Sequence, residues 1–147
     1  MDPSDIRTTN YHEGAILPFG TKVTVNGLHR DLVRFTTASE IGFTLYLKHS
    51  LISMEDNFYR YFSTDDPTLP GTPYDSFTEM EKENLKKGNV VLGMSKSAVL
   101  ASYGFPPSHV NPDLNADFWR YWMSFREEVH IYFKDNLVSE IKKVSIS

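Results

Sequence analysis

The sequence predicts an α+β protein: an N-terminal antiparallel β unit, followed by two capped helices and a three-stranded antiparallel meander. Three observations carry that prediction. Apolar and polar residues alternate in three runs between residues 21 and 48, and strand-like runs return after residue 117, the pattern of half-buried strands. Between these blocks, "SFTEMEKENLKKG" and "GMSKSAVLASYG" carry helix start and stop residues at helical spacing. The 147 residues, 40% of them hydrophobic, suffice for a core in one domain or two closely packed small ones.

The first strands are expected near 21–26, 31–37 and 42–48. Val23 and Val25 alternate with polar neighbours, and Asn26-Gly27 reads as a tight turn because that pair tolerates positive φ. In the third run Ile41, Phe43, Leu45 and Leu47 share one face. Ser53 then stands three residues before Asp56, and Met54, Phe58, Tyr61 and Phe62 follow at near-helical spacing, which predicts a short capped helix. "STDDPTLPGTPYD" holds three prolines and a glycine and supports neither ladder nor helix. It is read as a linker over 64–75, between a β-rich unit over 10–63 and a second domain over 76–147.

In the second domain, Ser76 with Glu79, late lysines and Gly88 predict one helix. Ser95 is the expected cap of the next, with Met94 against Val99 as a staple. Gly104 is expected as a left-handed stop with Phe105 touching Leu100, and Pro106-Pro107 forbid continuation. Strands follow at 118–123 and through Val129, Ile131 and Phe133, with Asp135-Asn136 as a hairpin turn. A three-residue bulged loop is expected there, because it sets Ile131 opposite Ile141 and keeps both on the buried face.

Composition narrows the function classes. The net charge is −4; residues 1–75 hold six Lys/Arg against ten Asp/Glu, and 76–147 hold nine of each. Neither half has the basic surface that releases phosphate counterions, so no nucleic-acid partner is expected. Cysteine is absent, which removes disulfides, thiolate zinc sites and a cysteine nucleophile. No run approaches a membrane span, and "MDPSDIRTTN" lacks the regions of a signal peptide.

Chemistry would have to come from His12-Glu13, His29 with Asp31, His49, His109 with Asp113, or His130. None has a local metal-ligand spacing and no serine sits in a Gly-x-Ser-x-Gly elbow; Ser95 and Ser97 are explained as helix-start residues. No catalytic set, metal or cofactor is therefore expected. The candidate binding residues are Tyr103, Phe105, His109, Trp119, Arg120 and Tyr121, an aromatic set around one arginine. Trp119 and Tyr121 share one strand face, and Phe118, Arg120 and Trp122 share the other, so one face covers the helices and the other is exposed or packs on the N-terminal unit.

"LGMSKSAVLASYGFPPSH", then "FWRYW", then "VHIYFKDNLVSEI" resembles the SmpA/OmlA family, the BamE-like outer-membrane assembly lipoproteins, over residues 85–145. The same order of elements is shared with β-lactamase-inhibitor-protein-like domains. From "NYHEGAILPFGTKV" onward the chain also resembles a group of uncharacterised bacterial exported proteins, and "PFGTKVTV" resembles a bacterial Src-homology-three-like barrel. The resemblance implies a periplasmic or outer-membrane-associated protein of a diderm bacterium, with peripheral or lipid-anchored membrane association. Its work would be binding envelope proteins and lipid headgroups rather than catalysis. The chain departs from the family in its N-terminal β unit and in having no anchor cysteine. The alternative reading is a small envelope hydrolase acting on cell-wall material through a histidine and a carboxylate.

Overall fold

The computed structural model describes residues 5–7, 17–47, 53–124 and 126–146. The N-terminal sheet contains β1 (Asp5–Arg7), β2 (Val23–His29), β3 (Leu32–Thr37) and β4 (Gly42–Tyr46) in the order β1-β4-β3-β2. The last three form an antiparallel meander, and β1 lies parallel to β4. Among the described residues β1 and β2 are the opposite edges of this sheet and do not pair with each other.

Asn26-Gly27 is not the turn. β2 runs through it, with Val25 opposite Phe35 and Gly27 opposite Arg34, so Asn26 is the extra residue of a bulge. Its Nδ2 donates to Thr36 Oγ1 at 3.2 Å. The chain reverses instead at Arg30-Asp31, between the paired His29 and Leu32. The Asn-Gly pair gave two readings with the same local chemistry, and the longer alternation of the strand selected the bulge.

Val33, Phe35, Phe43, Leu45 and Leu47 form the buried core of this unit. Helix α1 (Met54–Tyr61) covers it with Met54, Phe58 and Tyr61. Ser53 Oγ accepts from Asp56 N, as the sequence predicts.

Ser76 does not start the next helix. It closes a 3-10 turn, Pro73–Ser76, and its hydroxyl donates to Pro73 O. Helix α2 (Glu79–Lys87) begins after Thr78, whose Oγ1 accepts from Glu81 N while Glu81 Oε1 accepts from Thr78 N. The same Ser/Thr-x-x-Glu logic therefore applies two residues later. Gly88 ends α2 at φ 67°.

Glu81 also reaches the following helix. Its Oε2 accepts from Ser95 N at 2.7 Å and from Ser95 Oγ at 2.8 Å, and Ser95 Oγ in turn accepts from Ala98 N to cap α3 (Lys96–Tyr103). One carboxylate thus serves the positive ends of two helices. Gly104 has φ 82° as expected, but ψ −176°. This is the extended positive-φ region that essentially only glycine occupies, not the left-handed helical stop.

The second sheet is β5 (Phe118–Ser124), β6 (Glu127–Lys134) and β7 (Leu137–Ser145), antiparallel in that order. Ile131 does face Ile141, but by another route. Asp135 (φ 54°) and Asn136 (φ 63°) make a two-residue turn, and a bulge between Tyr132 and Phe133 then restores the register. Helices α2 and α3 lie on one side of this sheet around Leu85, Met94, Val99, Trp119, Tyr121 and Ile131. Phe105 is turned toward α1, with Arg60 4.5 Å above its ring and Tyr61 edge-on at 6.3 Å.

Candidate functional site

Alternation along β5 and β6 decides which side chains face water. Trp119 and Tyr121 point toward the helices and are each 1% exposed. Trp119 packs edge-on to Phe133, and the Tyr121 hydroxyl donates to Gly104 O at 2.8 Å. The six candidate binding residues therefore do not form one exposed surface: Trp119 and Tyr121 are core. Tyr103 is half-buried and edge-on to Tyr121, and burial pushes its hydroxyl pKa up. His109 is exposed and apart from Asp113, whose carboxylate accepts from Asn115 N.

The segment after α3, "GFPPSH", lies beside β5, with Gly104 bonded to Tyr121 and the following Asn111 bonded to Arg120. Asn111 Oδ1 accepts from Arg120 N, and its Nδ2 donates to Arg120 O, both at 2.7 Å. This amide imitates a neighbouring strand. Pro106 and Pro107 are buried, and a residue without an N–H leaves no donor to satisfy inside.

The opposite face holds an arrangement that local spacing did not announce. Cross-strand pairing sets Arg120 opposite His130 and Trp122 opposite Glu128. Arg120 Nη2 donates to Glu128 Oε1 at 2.9 Å, and His130 Nε2 lies 2.6 Å from Glu128 Oε2. Glu128 is 5% exposed. Burial is the largest single influence and pushes its carboxyl up, but the hydrogen bonds from His130 and Arg120, with their charges, outweigh it and hold the carboxyl below its ordinary range. An ionised carboxylate only accepts, so Nε2 of His130 carries the hydrogen and Nδ1 is left for other contacts.

Around this trio, Phe118 stacks tilted on Tyr132 at 4.9 Å and edge-on to His130 at 5.2 Å, and Lys142 of β7 lies 5.4 Å from the Tyr132 ring. Of the six residues the sequence singled out, only Arg120 belongs to this face. The signal for the rest was present: Glu128 and His130 are two apart on a strand and share a side. Placing Arg120 beside them needed the bulge at Met123, between Trp122 and Ser124.

His12, Glu13 and His49 lie outside the described residues. Among the described residues no cluster of three or more His, Asp or Glu side chains could hold a metal ion, and no helix is long and apolar enough to cross a membrane. No family model, no curated protein and no solved structure matches the chain.

Proposed function

We propose that the chain is a non-catalytic binding module of the bacterial cell envelope, and that it meets its partner through the outer face of the C-terminal sheet. One observation carries this reading. Phe118 is 36% exposed, Trp122, Tyr132, Arg120 and His130 are partly exposed beside it, and the buried carboxylate among them is already neutralised from within. Aromatic residues and arginine dominate interface hot spots, and a pre-paired Glu128 spares a partner from facing a bare buried charge. The strands that make this face are those carrying the BamE-like resemblance, which supports an envelope protein or lipid headgroup as partner and a periplasmic or outer-membrane location.

The hydrolase reading is favoured by one contact, His130 to Glu128, because a carboxylate-oriented imidazole is a general base. Glu128 itself is not free to act as an acid, since Arg120 holds its other oxygen.

The test places a photocrosslinking residue at 118 or 122 in cells of the source bacterium. Crosslinks to one defined envelope protein are expected, and Trp122→Ala should abolish them with the thermal midpoint almost unchanged. Release of soluble fragments from purified cell wall, lost in His130→Ala, would instead establish the hydrolase.

A further inference from the structure

Between its two bulges the second sheet keeps an unbroken register, so β5, β6 and β7 present a regular block on their outer face. Phe118, Tyr132 and Glu140 stand opposite one another as one row across the strands. Arg120, His130 and Lys142 make the next row, and Trp122, Glu128 and Val144 the third. Successive rows are two residues apart along each strand, about 7 Å. Three basic side chains therefore stand in line, with rings on both sides of them.

Depth decides what a partner meets. With His130 neutral, Arg120 and Lys142 balance Glu128 and Glu140 over the whole block. The Arg120, His130 and Lys142 side chains, however, are 37%, 19% and 55% exposed, whereas Glu128 is buried among them. Its two oxygens are taken by Arg120 Nη2 and His130 Nε2. Lys142 lies 3.4 Å from Glu140, but both side chains are more than half exposed, and an ion pair open to water is weak. The middle row thus turns positive charge outward. Phe118 and Tyr132 flank it on one side, and Trp122 and Val144 on the other.

We infer that the occupant of this face is an extended acidic segment of a partner protein, lying along the strands with an apolar, an acidic and an apolar side chain at alternate residues. In an extended chain every second side chain points the same way, at a spacing of about 7 Å, which is the spacing of the rows. The acid then falls on Arg120, His130 and Lys142, whose charge-assisted donors suit a carboxylate. Its apolar neighbours fall on Phe118 with Tyr132 and on Trp122 with Val144. This inference rests on the outer face being the partner site, and it specifies the chemistry of the partner.

Glu140 and Lys142 allow a test in both directions, because both are at the surface and neither belongs to a core. The probe is the peptide acetyl-Phe-Thr-Glu-Thr-Phe-amide, titrated into the isotope-labelled full chain and followed by NMR at the Trp122 indole; the control peptide has lysine in place of glutamate. The acidic peptide is expected to shift the indole and the lysine peptide to leave it unmoved, with binding weakened by salt. Lys142→Glu should weaken binding roughly threefold to tenfold and Glu140→Lys should strengthen it by a similar factor. Equal responses to the two peptides, or none to either, would overturn the inference. So would a response confined to phosphatidylglycerol vesicles, which would make the face a lipid site. Photocrosslinking at 118 or 122 separates this inference from the reading beneath it. One envelope protein captured equally by wild type, Lys142→Glu and Glu140→Lys would leave the face a partner site and overturn the acidic segment, whereas no capture at all would remove both.

Discussion

Among the described residues, five buried hydrophobic side chains of the N-terminal unit lie under one eight-residue helix, whereas twelve of the C-terminal unit lie between two helices and a sheet. The difference shows at the sheet edges. Val25 and Leu28 stand opposite Phe35 and Val33, on the core face of the first sheet, yet they are 38% and 61% exposed. On the second sheet, the inner residues of β5 and β6 are sealed to within a few per cent. Small cores are marginal because the buried fraction falls with size. The C-terminal unit therefore supplies most of the stability, and the N-terminal unit leans on it.

The largest expected effect attacks the stronger side. Trp119→Ala removes the largest fully buried side chain and should destabilise the C-terminal unit by about 3–5 kcal/mol. Denaturant titration measures it. A loss below about 1 kcal/mol would mean that the inner face of β5 is not the core and that the comparison is reversed. Native-state hydrogen exchange supplies the complementary reading, with the slowest amides expected in central strand β6 rather than in β3.

Acid sharpens the contrast. Glu81 and Glu128 both belong to the C-terminal unit. For Glu81, too, burial pushes the carboxyl up, but hydrogen bonds from Thr78 and Ser95 outweigh it and leave it lowered. Groups with depressed folded values add stability that is fully present above the ordinary glutamate value of 4.5 and is lost as pH falls through the folded values. The C-terminal unit should accordingly weaken below that pH. Glu81→Gln should cost about 1–2 kcal/mol at neutral pH, because it leaves capping donors short of a charged acceptor, and should flatten the acid slope. An unchanged slope in both Glu81→Gln and Glu128→Gln would show that these carboxylates are not the linked groups.

The caps and the strand alternation were legible in the sequence, and the residues explain why. Ser53, Ser95 and Gly88 act within three or four residues of themselves, so local chemistry determines them. The sequence is ambiguous where two local readings are equally good. Asn26-Gly27 suits a turn or a bulge, and Ser76 and Thr78 both precede a glutamate by three. The face of β5 that would be buried was undecidable locally, because both faces carry aromatics. The Arg120–Glu128–His130 trio was hidden for a different reason: its members meet only after a hairpin with a bulge aligns two strands, and bulges leave little mark in a sequence.

The smallest expected effect tests whether the two units behave as one. Phe105 was expected to fold back on Leu100, yet it reaches α1, where Arg60 covers its ring and Tyr61 meets its edge. A second contact runs the other way, with Phe19 stacked on Tyr74 at 6.1 Å and packed against the C-terminal core. A partly exposed cation–π pair contributes about 0.5–1 kcal/mol, so Phe105→Ala should hardly move the main unfolding transition. If the N-terminal unit leans on its neighbour, however, even that loss separates their melting, because the weaker core no longer shares the cooperativity of the stronger one. Calorimetry of Phe105→Ala should show a low-temperature shoulder that wild type lacks, and near-neutral Arg60→Ala should reproduce it more faintly. A single unchanged transition in both variants would mean that coupling runs through Phe19 and Tyr74 instead, and Tyr74→Ala would then be the variant that splits the melt.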